Sequence, residues 1–191
     1  MRVFVALTVP ESVQTAIAGF VAKLRRSTDT ARWARLEGLH VTLKFIGEVP
    51  PEKIATITAS FAQIPFHNPI EINFRNVGFF PNKKRPIVFW AGIEACPELA
   101  ALAEAVDASL EPLGIAREQK TFAPHLTLAR FKPMRGTPKL DTLLNAIAAA
   151  TPFEFGSAIA KEFHLYQSVL KPGGAEYTRL ATFGCATGDP R

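Results

Sequence analysis

The 191-residue chain contains only two cysteines, Cys96 and Cys185, which lie far apart and outside any CxxC pattern. This spacing predicts neither a disulfide framework nor a zinc knuckle, and it favours two reduced thiols in a cytoplasmic protein. The N-terminal apolar run from Val3 to Val9 covers only seven residues before Pro10 and Glu11 interrupt it. Such a run is too short for a signal peptide or a membrane span, so we expect a cytoplasmic protein without a membrane anchor.

The chain also lacks the glycine motifs of several common enzyme classes. Neither a Walker motif nor GxGxxG is present, which argues against binding of nucleoside triphosphates or dinucleotides by those routes. The GxSxG turn that carries a serine nucleophile is missing as well. A formal net charge of +5 and a pI near 9.4 instead favour anionic partners such as phosphates or nucleic acid.

Only four histidines occur, and two of them open nearly the same motif. The stretch HVTLKFIG begins at His40 and the stretch HLTLARF begins at His125, so the two histidines lie 85 residues apart. If both stretches are strands, residues two apart share a face, which groups His40 with Thr42 and Lys44, and His125 with Thr127. Each strand then offers an imidazole and a hydroxyl about 7 Å apart.

The repeat extends beyond the two motifs. The same offset aligns VFVA with VFWA, and each half then shows the order strand, helix, His-x-Thr strand, helix, strand. We predict an α+β protein in which residues 1–191 form a single bilobed domain, with repeats over roughly 3–80 and 88–169 and a closing strand at about 176–183. A duplicated unit tends to assemble about a pseudo-twofold axis, so the two histidines are expected to face each other across a central cleft.

Two imidazoles and two hydroxyls around one cleft suit attack on a phosphodiester. A neutral imidazole takes a proton from water while a protonated one donates a proton to the leaving oxygen, and each transfer contributes roughly 10²- to 10⁴-fold in rate. The threonine hydroxyls bind the non-bridging oxygens, where negative charge builds in the transition state. Because histidine titrates near pH 6.5, we expect a bell-shaped pH profile, and the chemistry needs no metal or other cofactor. Spacing alone does not tell the acid from the base.

With these motifs and flanks such as MRVFVAL, RWARLEGLHVTLKFIGEV and FAPHLTLARF, the chain resembles the RNA 2′,3′-cyclic phosphodiesterase family, also known as 2′-5′ RNA ligases. This family belongs to the two-histidine phosphoesterase superfamily, and the resemblance covers nearly the whole chain. It implies two antiparallel sheets that line a central cleft, with helices on the outside. It also implies opening of an RNA 2′,3′-cyclic phosphate to a 2′-phosphate by expulsion of the 3′-oxygen.

The resemblance further implies a role for each motif residue. His40 is expected to be the proton donor and His125 the proton acceptor, while Thr42 and Thr127 bind the phosphate. The family is also associated with reversible ligation of RNA ends through a 2′-5′ linkage, which is the same chemistry run in reverse with a hydroxyl. The expected partners are RNA with 2′,3′-cyclic phosphate ends or small cyclic nucleotides, and we expect a monomer.

Five further residues are candidates for substrate contacts. Lys44 shares the predicted face of the first motif. Arg130 matches the family flank, although strict alternation aims it at the core, so its strand must bulge or end there if the charge is to stay exposed. Phe122, Tyr166 and Tyr177 are candidates for stacking on a terminal base. Core packing and surface exposure are the alternatives for each of them.

Other functions remain open at this stage. A related phosphoesterase that acts on small cyclic nucleotides or 2′-5′ oligonucleotides would share the motif residues and differ at the cleft walls. A non-catalytic nucleotide- or RNA-binding module would bind a nucleotide without turnover. A zinc site is disfavoured because threonine takes the place of the second ligand in an HxH pair. We assign no role to His67 or His164, since neither lies in a comparable pattern.

Overall fold

The computed structural model describes residues 1–26, 31–66, 68–94, 96–132, 138–150, 153–172 and 174–184; His67 and Cys185 lie outside these ranges. Within them the chain forms nine strands and four α-helices in an α+β arrangement. The strands are β1 (Arg2–Thr8), β2 (Ala31–Trp33), β3 (His40–Glu48), β4 (Ile70–Phe80), β5 (Val88–Glu94), β6 (His125–Phe131), β7 (Glu154–Ala160), β8 (Glu162–Lys171) and β9 (Gly174–Gly184). The helices are α1 (Glu11–Arg25), α2 (Lys53–Phe61), α3 (Pro97–Leu110) and α4 (Pro138–Ala148).

The strands form two antiparallel sheets, as the sequence predicted. Sheet A has the strand order β3-β1-β8-β9, and sheet B has the order β2-β6-β5-β4-β7. The predicted closing strand is β9, and it pairs with β8 along a hairpin that turns between Lys171 and Gly174. Gly174 has a φ of 128°, a backbone conformation that favours glycine.

The two sheets do not follow the two halves of the sequence. β4, which ends the first half, pairs with β5 and therefore lies in sheet B. The helices are exchanged as well, because α3 packs against β3 of sheet A and α1 packs against β7 of sheet B. Each lobe thus contains elements from both halves, which is the arrangement expected if residues 1–191 fold as one unit. That single domain stays a prediction.

The helices form because their apolar residues recur every three or four positions. In α1 the buried residues Val13, Ile17, Phe20, Val21 and Leu24 form one stripe. Helices were predicted after Pro10 and Pro97, and both are present. Buried side chains from the helices and from one face of each sheet form a continuous hydrophobic cluster. The other face of each sheet is left to line the cleft.

Candidate active site

β3 and β6 present the two His-x-Thr motifs in the same conformation. In both strands the histidine and the threonine are half-buried, and the residue between them is buried in the core. His40 and Thr42 therefore share one face of sheet A, and His125 and Thr127 share one face of sheet B. This confirms the predicted face for the four motif residues.

Both motif strands contain a β-bulge directly after the threonine. Two adjacent residues of β1 lie opposite Thr42 and Lys44, so Leu43 is the extra residue. The pairing of β6 with β5 passes over Leu128 in the same way. Because a bulge adds one residue to one strand of the pair, the side chains after it change faces. In both strands the two residues after the threonine are buried, and the next one is exposed.

The bulge removes Lys44 from the cleft. Its Nζ lies 2.5 Å from Asp107 Oδ1 in α3 and donates a hydrogen bond of 3.0 Å to the carbonyl of Ala116. Asp107 also accepts hydrogen bonds from Arg117 and from the backbone N–H of Glu118. Burial alone would raise the pKa of Asp107, but these bonds and the charge of Lys44 outweigh it and lower that pKa. The prediction that Lys44 shares the histidine face is wrong.

The same bulge explains Arg130. It is exposed at the end of β6, on the face of His125 and Thr127, rather than buried on the core side. Arg32 of β2 lies directly opposite Arg130, so two exposed arginines are neighbours on adjacent strands. In the described part of the chain neither arginine has an ion-pair partner. Contact of Arg130 with substrate stays a prediction.

Both histidine rings are held by the same type of hydrogen bond. His40 Nδ1 lies 2.7 Å from the carbonyl oxygen of Gly38, and His125 Nδ1 lies 2.9 Å from the carbonyl oxygen of Ala123. A carbonyl only accepts, so Nδ1 carries the proton in both rings. The Nε2 atom of each ring is therefore the one available to accept or donate a proton.

His40 is enclosed by aromatic rings. The ring of Phe4 lies 4.7 Å from its ring, and Tyr177 meets it edge to face at 5.0 Å. Burial lowers the pKa of His40 below the ordinary value of 6.5; the bond to Gly38 opposes this shift and the charge of His125 adds to it. The free protein therefore holds His40 mainly neutral near pH 7.

His125 has different neighbours. Phe80 of β4 meets its ring edge to face at 5.0 Å, and Trp90 of β5 lies opposite Thr127. The Trp90 indole covers Gly78, where a Cβ atom would collide with it. At the matching places in sheet A are Ala6, opposite Thr42, and its neighbour His164. The two sheets fill the floor of the cleft with different side chains.

The chain brings the two motifs close together by crossing between the sheets. β2 lies at the edge of sheet B, and residues 34–39 lead from it directly to β3 at the edge of sheet A. The backbone N–H of Ala34 donates a hydrogen bond of 2.8 Å to the carbonyl of Leu128 in β6. β3 and β6 approach within 8 Å between Cα atoms, and His125 acts electrostatically on His40.

A cavity of about 220 Å³ lies beside His40. Tyr166 and Tyr177, both predicted to stack on a base, line it together with Phe4 and Arg179. Phe4 stacks on Tyr166 with 5.4 Å between ring centroids. Phe122 lies elsewhere, half-buried against the hydrophobic cluster, so core packing accounts for it. Base stacking by these residues stays a prediction.

Sequence reasoning missed Phe4 and Arg179. Phe4 lies in a run that is apolar on both faces, where Val3, Val5 and Leu7 belong to the core cluster and Phe4 does not. Such a run indicates a strand with a covered second face, which was the available signal. Nothing in the sequence indicated that Arg179 lines the cavity. Its position depends on a bulge in β9, between the two residues that pair with Leu165 and Tyr166.

His164 is a third histidine on the cleft side of sheet A, and it is fully buried. Its Nδ1 lies 3.0 Å from Thr182 Oγ1, and Nε2 lies 3.4 Å from Glu162 Oε1, too far for good hydrogen-bond geometry. Burial and then the charge of Arg179 lower the pKa of His164, while Glu162 opposes the shift.

Within the described ranges, no group of three or more His, Cys, Asp or Glu side chains is arranged to hold a metal ion. The helices of these ranges also include none that is both long and apolar enough to cross a membrane.

Residues 13–169 match the family model of the 2′-5′ RNA ligase superfamily. The chain is 35% identical over 183 residues to an RNA 2′,3′-cyclic phosphodiesterase of Archaeoglobus fulgidus. The aligned residues cover 96% of this chain and 99% of that protein. The chain is 33% identical over 177 residues to the protein of the same name from Methanocaldococcus jannaschii, covering 93% and 96%. A crystal structure of a Thermus thermophilus protein superposes with a TM-score of 0.80 at 32% identity, covering 97% of this chain and 98% of that one. These matches confirm the resemblance, and the chain belongs to the 2′-5′ RNA ligase superfamily.

Proposed function

We propose that this protein hydrolyses RNA 2′,3′-cyclic phosphodiester ends to 2′-phosphates, by paired histidine acid–base catalysis without a metal. The observation that carries the proposal is the matched placement of His40 and His125, each with Nδ1 bonded to a carbonyl and Nε2 left for the substrate. Relatives named RNA 2′,3′-cyclic phosphodiesterase over nearly the whole chain support the substrate class.

The reaction needs one proton to leave the water and one to reach the leaving oxygen. His125 Nε2 takes a proton from water as the water oxygen bonds to phosphorus. The bond from phosphorus to the 3′-oxygen breaks at the same time, and His40 Nε2 donates its proton to that oxygen. The products are a 2′-phosphate and a 3′-hydroxyl. Thr42 and Thr127 donate hydrogen bonds to the non-bridging oxygens, and Arg130 adds a positive charge beside them.

The walls of the cleft support this choice of acid and base. The leaving 3′-oxygen belongs to the nucleoside, so the acid lies on the nucleoside side and the base lies on the side of the water. The aromatic cavity adjoins His40, which places a nucleoside bound there on the side of His40. A nucleoside on the side of His40 agrees with the roles that the resemblance implies for His40 and His125.

The lowered pKa of His40 affects when this ring gains the proton that it donates. The donor must carry a proton, whereas burial keeps His40 mainly neutral in the free protein near pH 7. A phosphodiester anion beside the ring favours the charged imidazolium and raises the pKa of His40. We therefore expect His40 to gain its proton when the substrate binds.

The same site can join RNA ends. If a 5′-hydroxyl replaces water, His125 takes the hydroxyl proton and a 2′-5′ linkage forms as the 3′-oxygen leaves. We further propose that the protein is cytoplasmic. We also propose that it acts as a monomer, because one chain supplies both motifs and needs no second copy to complete the pair.

The test is hydrolysis of adenosine 2′,3′-cyclic phosphate and of an RNA oligonucleotide with a cyclic phosphate end, both in EDTA. We expect turnover with a 2′-phosphate as the only product. A 3′-phosphate would mean that the 2′-oxygen is expelled and would overturn the proposed geometry. No turnover of either substrate by folded protein would favour the non-catalytic binding module, which should still bind adenosine monophosphate.

A further inference from the structure

The cavity beside His40 has one cationic side chain in its wall, Arg179. The rings of Phe4, Tyr166 and Tyr177, which suit the faces of a nucleobase, line it together with smaller polar and aliphatic residues. Arg179 lies across from Tyr166 in the pairing of β8 with β9, and its guanidinium carbon lies 6.0 Å from the centre of the Tyr166 ring. The cavity therefore combines stacking surfaces with a charge at its far side from β3.

Arg179 is exposed, and its charge is not neutralised locally. In the described ranges it has no ion pair with a carboxylate, whereas Arg75 and Arg117 are both paired with glutamates. A cation held against an aromatic ring at the wall of a cavity is available to an anionic ligand. Arginine binds phosphate oxygens through two parallel N–H groups.

Sheet B has no counterpart to this wall. Phe80 of β4 corresponds to Tyr166 of β8. In each sheet this residue lies two strands away from the exposed residue that follows the bulge of the motif strand, in β6 for Phe80 and in β3 for Tyr166. β9 pairs with β8 along its length, from Glu162 to Lys171. In the described residues β7 pairs with β4 only as far as Arg75, so no strand lies beside Phe80. In the described residues, only the His40 side has a further strand beside its ring stack, and that strand carries an arginine without an ion pair.

We propose that this cavity holds the terminal nucleoside of the RNA and that Arg179 binds the phosphate on its 5′-oxygen. The inference rests on the proposed function and names the substrate class of the same site. A nucleoside cyclic phosphate with a free 5′-hydroxyl lacks that second phosphate, and an RNA end always has it. Arg179 thus makes the protein prefer RNA ends over mononucleosides.

The test compares two substrates that differ only in that phosphate. Adenosine 2′,3′-cyclic phosphate and its 5′-phosphorylated form are hydrolysed by the wild type, by Arg179→Gln and by Arg179→Lys. We expect the Gln variant to lose about 10- to 100-fold in kcat/KM on the 5′-phosphorylated substrate, through KM, and to stay within about twofold on the other. The Lys variant keeps the charge and should recover part of the loss.

Arg2→Gln serves as the matched control, because Arg2 is an exposed residue of β1 in the same sheet and does not line the cavity. This variant should leave both substrates unchanged. Equal losses on both substrates in Arg179→Gln would assign Arg179 a structural role and overturn the proposal. Unchanged kinetics on both would overturn it as well.

Binding without turnover separates this proposal from the proposed function. The wild type should bind adenosine 2′,5′-bisphosphate more tightly than adenosine 2′-phosphate in calorimetry, and Arg179→Gln should lose most of that difference. If the preference exists but no cyclic phosphate is hydrolysed, the Arg179 site stands and the proposed function fails. If hydrolysis occurs without any preference, the function stands and the Arg179 site is wrong.

Discussion

β3 and β6 hold their histidines and threonines in the same way, yet the two strands differ on both faces. On the core side Lys44 and its ion pair with Asp107 occupy the place of Ala129. On the cleft side the exposed residue after the bulge is Phe45 in β3 and Arg130 in β6. The shared backbone fixes what both motifs must do, which is to present Nε2 and a hydroxyl. The neighbours then give each strand its own task.

The same contrast holds for whole sheets. Sheet A has an aromatic wall beside His40 that ends in Arg179. Sheet B has Trp90 opposite Thr127, and Arg130 opposite Arg32 further along β6. Both histidine rings are held by the same type of hydrogen bond, so an asymmetric reaction has to take its direction from such surroundings. Substitutions in each sheet can test this division of roles.

Removal of either imidazole should have the largest effect. His40→Ala and His125→Ala should each lower kcat about 10²- to 10⁴-fold on the cyclic phosphate, because each ring moves one proton in the transition state. The double variant should be much less than additive, since the pair acts as a unit. His164→Gln is the control outside the pair and should stay near wild-type kcat. A loss in only one of the two alanine variants would contradict paired catalysis.

Lys44 should matter for stability and not for chemistry. Lys44→Met leaves the nearly buried Asp107 carboxylate without its closest cation, and we expect a loss of about 3 kcal/mol in the free energy of unfolding by urea. The Lys44→Met/Asp107→Leu double variant should regain much of it. Lys53→Ala, which removes an exposed lysine, is the control and should change stability by less than about 0.5 kcal/mol.

The kinetics of the same variants decide whether Lys44 has a role in the cleft. We expect Lys44→Met to keep kcat near the wild-type value at a temperature where it is folded. A large loss of kcat together with unchanged stability would mean that Lys44 reaches the substrate after all.

Substitution at the floor of the cleft in sheet B, where the Trp90 indole covers Gly78, should have a smaller effect on stability. Gly78→Ala places a methyl group against the Trp90 ring, so we expect a loss of about 1–3 kcal/mol in unfolding free energy. Gly19→Ala in α1 meets no atom within 4 Å and should instead gain about 0.5–1 kcal/mol from better helix propensity. If both alanines are tolerated equally, the close approach of Trp90 to Gly78 is not a constraint.

The smallest effect concerns the coupling between the two rings. In the free protein His40 should titrate below 6.5 by NMR, and His125→Gln should move the pKa of His40 upward because a neighbouring positive charge is removed. The value should stay below 6.5, since burial is the main cause of the shift. His164→Gln should leave it unchanged. A His40 pKa above 6.5 in the wild type would contradict the enclosure described here.

The sequence predicted the elements better than their partners. Periodicity located the helices after Pro10 and Pro97 and the His-x-Thr strands, because burial of one face leaves a regular pattern. The charge of Arg130 indicated the bulge in β6, because strict alternation would bury that charge. The stretch HVTLK alternates regularly and gave no sign of the bulge in β3, so Lys44 was assigned to the wrong face. The exchange of β4 into sheet B depends on contacts distant in sequence, which local patterns do not encode.

The repeat shows that identical residues in an alignment do not always occupy equivalent positions in the fold. The offset of 85 residues aligns VFVA with VFWA, which pairs Val3 with Val88. In the structure Phe4 lies opposite Phe45 and Val88 lies opposite Arg130. Phe45 and Arg130 are the equivalent exposed residues after the bulges, so Val88 corresponds to Phe4 and the sequence alignment is wrong by one residue. A shift of one residue exchanges the faces of a strand. The histidine and threonine positions do match at the offset of 85 residues, so the four motif residues were predictable. Of the cavity wall, Tyr166 and Tyr177 were predicted, and Phe4 and Arg179 were not.

The most direct test of the division between the two histidines is a substrate whose leaving group needs no acid. In a cyclic phosphate with sulfur in place of the 3′-oxygen, the thiolate leaves without a proton because thiols are far more acidic than alcohols. His40→Ala should hydrolyse this substrate within about tenfold of the wild-type rate, while His125→Ala should stay about 10²- to 10⁴-fold slower. Recovery in His125→Ala and not in His40→Ala would reverse the acid and the base and contradict the placement of the nucleoside beside His40.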